Sequence, residues 1–170
     1  MRENLKTVIT IGLLMLTSVS FAEDKGKCDD SKFVYKFCTN QQEIFNSHLD
    51  QAKKEKKLLL VKFGFEKCPW CLNLHKVFNT NLKTFIDKNF VKAEINISEE
   101  SGKKVFENIK GSYKESYKKT GWPFLIVVNP QANTSTYQDT AELEDNAKGQ
   151  KGHDIAKVKM ALENMAKKLN

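Results

Sequence analysis

The sequence predicts an α/β fold, and three observations carry that prediction. A nearly all-apolar run, Leu58 to Phe65, has the length and composition of a central strand covered on both faces. It leads into Cys68-Pro69-Trp70-Cys71, after which Leu74, Val77, Phe78, Leu82, Phe85 and Ile86 recur at helical spacing. A second apolar strand, Phe124 to Val128, follows an isolated Trp122-Pro123. Strands interleaved with amphipathic helices define this class.

Residues 1–22 are set apart from the fold. Arg2 and Lys6 precede an apolar run from Val8 to Val19, and Ser20-Phe21-Ala22 supplies a small-residue end, which is the pattern of a cleaved signal peptide. The run is shorter than the roughly 20 apolar residues of a membrane span. An exported, soluble, periplasmic protein is expected. Its parts are an extension over 23–40, with Cys28 and Cys38, and one domain over 41–170. The net charge of +7 comes from lysines spread along the chain. No nucleic-acid module or basic-aromatic platform accompanies it, so the charge reads as solubility with some attraction to acidic partners or membrane surfaces.

In the extension, Phe33 to Phe37 reads as a short edge strand between the two cysteines. A Cys28–Cys38 disulfide is expected as a structural staple, because neither cysteine has helix-start or C-x-x-C context. The other reading is a second redox pair. Asn40 to Glu43 resembles a capping box, followed by a helix with Ile44, Phe45, His48, Leu49 and Ala52 on one stripe; His48 is read as packed or half-exposed. The helix after Pro69 is expected to break near Asn79 to Asn81. Phe90 to Ile97 alternates as a strand with Val91, Ala93, Ile95 and Ile97 on one face.

Ser98 reads as the cap of the next helix. Its stripe of Val105, Phe106, Ile109, Tyr113 and Tyr117 is interrupted at Gly111, so two helical pieces are expected. Asn129 to Asn133 is a turn and Thr134 to Gln138 the returning strand. Glu142 to Gly152 is polar loop. Asp154 caps a last helix with Ile155, Val158, Leu162, Met165 and Leu169 facing the core.

The chemistry sits at Cys68 and Cys71. Pro69 is tolerated just inside a helix start, where its missing N–H would lack a partner anyway. Cys68 then lies at the N-cap, where unpaired N–H groups and the positive dipole end favour a thiolate. A lowered thiol pKa makes cysteine a nucleophile near neutral pH, and Cys71, one turn on, can resolve the mixed disulfide. Zinc ribbons share the C-x-x-C spacing, so the surrounding strand, helix and Trp122-Pro123 strengthen the redox reading.

With those parts in order, the stretch from roughly Glu43 to Gln131 resembles the thioredoxin superfamily, and most closely its secreted members. The resemblance implies a central mixed β-sheet flanked by helices, with an elongated helical segment before a cis-proline. It implies that Cys68 attacks, Cys71 resolves, and Pro123 follows a cis bond against the pair. The implied activity is thiol–disulfide oxidoreduction on protein thiols and disulfides, with no cofactor. A monomer is expected, and a reductase role would call for a membrane redox partner.

Three departures from the family pattern stand out. The family keeps a buried acid six residues before the attacking cysteine, where this chain has Lys62; Glu94 takes the place of an opposing lysine if Asn96 aligns with the family's asparagine. A charge-reversed Lys62–Glu94 pair beneath the motif would exchange a proton with Cys71; the alternative is that both reach solvent. Trp122 replaces a smaller residue before the proline, so Trp122 and Trp70 would form an apolar rim for substrates or a shield for the disulfide. Lys67 precedes Cys68 where many members have tryptophan, and a nearby cation favours the thiolate.

His75 completes a Cys-x-x-Cys-x-x-x-His pattern, but no fourth ligand is evident, so no metal site is predicted and His75 reads as a rim histidine. The rival function class is a non-catalytic binding module that holds a client or a metal such as copper.

Overall fold

The computed structural model describes residues 28–145 and 152–169. The signal peptide expected over 1–22 lies outside them, as do the first residues of the extension and part of the loop before the last helix.

A four-stranded sheet runs in the order β2-β1-β3-β4, with β1 Leu58–Gly64, β2 Phe90–Asn96, β3 Phe124–Asn129 and β4 Thr134–Asp139. β1 is parallel to β2 and antiparallel to β3, and β4 is antiparallel to β3, which makes the sheet mixed. The parallel pair needs a long crossover, supplied by α2 Pro69–Asn79 and α3 Lys83–Asn89. The antiparallel β3–β4 pair needs only a turn. There the Asn129 side-chain oxygen accepts from the backbone N–H groups of Gln131 and Ala132.

Alternation along β1 builds two cores. Leu58 and Leu60, with Leu125 and Val127 of β3, face α2, α3 and α5 (Ile155–Leu169). Leu59, Val61 and Phe63, with Val91, Ala93 and Ile95, face α1 (Gln41–Glu55) and α4 (Glu100–Ile109). β1 is buried along its whole length, as its apolar run predicts for a strand covered on both faces. The architecture is the predicted α/β fold.

Most boundaries fall within a residue or two of the sequence reading. Asn40 caps α1 by accepting from Gln42 N–H at 2.9 Å, Asp154 caps α5 through Lys157 N–H, and the helix after Pro69 breaks at Thr80 to Leu82. Four expectations are corrected. Phe33 to Phe37 is irregular, not a strand, because carboxylates take its backbone donors: Asp30 accepts from Phe37 and Cys38, Glu66 from Val34 and Tyr35. The α4 cap is Glu99; Ser98 N–H instead donates to the Asn96 side chain. The second helical piece is a series of turns, since Gly111 at φ +60° leaves the helical region. Tyr113 and Tyr117 still pack on the α1/α4 core from those turns. Ile155, the first residue of α5, is exposed.

Candidate active site

β1 ends at Gly64, and the chain turns so that Cys68 N–H donates to Phe65 O at 3.1 Å. Cys68 is then the N-cap of α2, with Pro69 in the first helical position. Its Sγ accepts the Cys71 N–H at 3.2 Å, so a backbone donor already points at the sulfur that would carry negative charge. Cys68 and Cys71 are joined as a disulfide. Cys68 is 5 % exposed and Cys71 is 0 %. An incoming sulfur therefore meets Cys68 first.

The Trp122-Pro123 bond is cis. Cys68 Sγ lies 3.7 Å from the Trp122 carbonyl oxygen, so the backbone just before the proline faces the disulfide. Pro123 is buried, and its carbonyl accepts from the Thr140 hydroxyl. Val34, Phe65, Trp70 and Trp122, all partly buried, pack around the cysteines. Both tryptophans thus border the pair. Trp70 meets His153 edge-on at 5.7 Å and Trp122 meets Phe106 at 5.5 Å, contacts that fix both rings from behind. Lys67 is exposed, beside the pair rather than beneath it.

Beneath Cys71 lies the reversed charge pair. Lys62 and Glu94 are register partners on parallel strands, and Lys62 Nζ is 3.1 Å from Glu94 Oε1. Lys62 is 0 % exposed and also donates to Cys71 O at 3.2 Å. Burial pulls its ammonium down from 10.5 to about 8, a shift that the Glu94 carboxylate only partly offsets. For Glu94, burial pushes the carboxyl up, but the His75 hydrogen bond and the Lys62 charge outweigh it and hold it below the ordinary 4.5. Neither side chain simply reaches solvent.

His75 extends this pair outward. Its Nδ1 is 2.7 Å from Glu94 Oε1, and its side chain is 34 % exposed. A chain of titratable groups therefore runs from under Cys71 to the protein surface: Lys62, Glu94, His75. The sequence reading treated His75 as a rim residue. The signal that would have joined it to the pair is its position four residues after Cys71 on one helix face. With Nδ1 directed at Glu94, it does not converge with the cysteines. Among the described residues, no group of three or more His, Cys, Asp or Glu is placed to hold a metal ion.

Two more residues at the site carry no sequence signal. Tyr35, from the irregular extension, is 0 % exposed and packs with both cysteines. His153, behind Trp70, is buried with neither ring nitrogen hydrogen-bonded. Burial, then the Lys62 charge, pulls it from 6.5 to about 4, so it is neutral at pH 7. Cys28 and Cys38 are bonded to each other, not to the active pair.

The family model described as "Thioredox_DsbH: Protein of unknown function, DUF255" matches residues 30–169. The chain belongs to the DsbH-like thioredoxin family. Among curated proteins, none matches the sequence. Of solved structures, a disulphide isomerase from Xylella fastidiosa Temecula1 is similar at 18 % identity and TM-score 0.60, covering 78 % of this chain and 95 % of that one. That likeness confirms the fold of this DsbH-like protein. The poxviral disulfide oxidoreductase G4 aligns more weakly, at 19 % identity and TM-score 0.42, over 64 % of this chain and 93 % of that one. Among the described residues, no helix is long and apolar enough to cross a membrane.

Proposed function

We propose that this protein is an exported thiol–disulfide oxidoreductase that exchanges dithiol and disulfide with protein substrates through Cys68 and Cys71. One observation carries the reading: a disulfide whose more accessible member caps a helix beside a cis-proline, with a buried ionised pair beneath its fully hidden member. Membership of a thioredoxin family and the likeness to a disulphide isomerase of solved structure lend it support.

The steps follow from the placement of the sulfurs. A substrate thiolate attacks Cys68 Sγ, the Cys68–Cys71 bond breaks, and Cys71 leaves as a thiolate. A second substrate thiolate then attacks the substrate sulfur of the mixed disulfide and expels Cys68. Two electrons pass from substrate to protein, and the reverse sequence reduces a substrate disulfide. Cys71, with no solvent contact, exchanges its proton through Lys62, Glu94 and His75. The backbone before Pro123 pairs with the substrate segment, and Trp70 and Trp122 supply its apolar border. The signal-peptide pattern over 1–22, a basic start before an apolar run, directs the chain to the periplasm, where the Cys28–Cys38 staple would persist.

Trapping tests this reading. A Cys71→Ser variant incubated with periplasmic extract should accumulate covalent adducts that dithiothreitol releases, and Cys68→Ala should accumulate none. Absence of adducts, with the Cys68–Cys71 disulfide also inert in glutathione buffers, would leave only a non-covalent binding role. The midpoint potential sets direction: near about −270 mV the protein is a reductase, near about −120 to −180 mV an oxidant or isomerase.

A further inference from the structure

Tyr35 lies far from the motif in sequence, yet it is fully buried against the cysteine pair. A Cβ placed on Gly64 would sit 2.4 Å from the Tyr35 hydroxyl oxygen and 2.7 Å from Cys71 Sγ. The two atoms therefore share one small space, kept open by the absence of a side chain at Gly64. In the disulfide state the hydroxyl makes no hydrogen bond, although it is buried. A buried hydroxyl without a partner is unfavourable.

The rest of the residue is held with care. Glu66 accepts the backbone N–H groups of Val34 and Tyr35, both at 3.1 Å. Asp30 accepts those of Phe37 and Cys38, at 2.7 and 2.8 Å, and the Cys28–Cys38 disulfide closes the loop. Lys62 Nζ lies 5.0 Å from the centre of the Tyr35 ring, so the phenol also touches the ion pair beneath Cys71.

We propose that Tyr35 belongs to the exchange site: its phenol donates a hydrogen bond to Cys71 Sγ when the Cys68–Cys71 bond opens, and the stapled extension serves to place it there. The inference rests on the exchange reading above. Opening moves the bonding electron pair onto Cys71 as a thiolate while the substrate sulfur bonds to Cys68. The phenol keeps its own proton throughout and only shares it. Burial, then the Glu94 and Glu66 charges, raises the phenol well above its ordinary 10, so it remains a donor. The hydrogen bond exists in the dithiol and mixed-disulfide states and is absent from the disulfide, so Tyr35 favours reduction of the pair and makes the protein a stronger oxidant.

Tyr35→Phe removes the hydroxyl and keeps the ring. The full protein and this variant are equilibrated in glutathione buffers, and the two cysteine pairs are followed separately by mass spectrometry of alkylated peptides. The variant's Cys68–Cys71 pair should be about tenfold harder to reduce, a charge-assisted hydrogen bond being lost from the reduced side alone. That corresponds to a potential about 30 mV lower. Its thermal midpoint should be unchanged or higher in the disulfide form and lower in the dithiol form. In a Cys28→Ala/Cys38→Ala background, where the loop is unclamped, Tyr35→Phe should shift the potential less. Equal potentials for wild type and Tyr35→Phe, or equal losses of thermal midpoint in both redox forms, would overturn the inference and leave the exchange reading intact. A wild-type pair that never equilibrates with glutathione would overturn both.

Discussion

Replacing Lys62 by methionine separates the energetic role of the buried pair from its chemical one. Burial lowers the Lys62 ammonium from 10.5 to about 8. At about 1.4 kcal/mol per pKa unit, holding this charge in the native state at pH 7 costs about 3 kcal/mol relative to the unfolded chain. The sign follows from which state holds the proton. Between pH 8 and 10.5 the unfolded chain keeps it while the native protein has lost it, so wild-type stability rises with pH across that window. The cost is complete below about pH 8 and gone above 10.5. Methionine removes it and fills a similar volume, while Glu94 keeps His75 as a partner 2.7 Å away. Urea unfolding of both proteins in the disulfide form, from pH 7 to 10.5, reads the difference directly. Subtraction largely cancels neighbours such as Lys92, which burial also lowers, and Tyr35, which burial raises. Wild-type stability relative to Lys62→Met should climb by about 3 kcal/mol across the window. A flat difference would refute the argument. So would a methionine variant about 3–5 kcal/mol less stable at pH 7, the signature of a broken pair whose attraction exceeded its desolvation.

Glu94→Gln makes the complementary change: it strands Lys62 as a buried cation, so about 3 kcal/mol of stability should be lost at pH 6, easing by pH 9 as Lys62 deprotonates, by the same unfolding assay. Gly64→Ala puts a methyl where the Tyr35 hydroxyl and Cys71 Sγ already lie within 2.7 Å; about 1–3 kcal/mol of destabilisation is expected, together with slower resolution of mixed disulfides in stopped-flow. Trp122→Ala should raise the KM for a cysteine-containing peptide several-fold while slowing exchange with glutathione less, because the lost ring borders the disulfide and the Trp122 carbonyl beside Cys68 Sγ is kept.

The fold was legible wherever burial imposes a period. β1, β2, β3 and the stripes of α1, α2 and α5 all announce themselves by spacing. The Lys62–Glu94 contact was one of two readings open in the sequence: a lysine inside so apolar a strand needs a partner, and the family resemblance set Glu94 opposite it, where the strand register places it. Reading failed where local chemistry overrode pattern. Phe33 to Phe37 has strand composition, but Asp30 and Glu66 satisfy its donors in place of a neighbouring strand. Tyr113 and Tyr117 continue the helical spacing of Ile109, but Gly111, at positive φ, ends the helix before them. Tyr35 reaches the cysteines and His153 the back of Trp70 from opposite ends of the chain, and such contacts leave no trace in a single sequence. His75 was within reach: Cys71, one turn earlier on α2, sits over the same ion pair.

The staple between Cys28 and Cys38 has a consequence for how the protein comes to exist. Closing that ten-residue span contributes about 3 kcal/mol by chain entropy, and it anchors the loop that delivers Tyr35. If Tyr35 acts as proposed, the Cys28–Cys38 bond has to form before the site around Cys68 and Cys71 is complete. Material produced in a reducing cytosol would lack the clamp, and its measured potential would be that of a protein whose Tyr35 loop is unanchored.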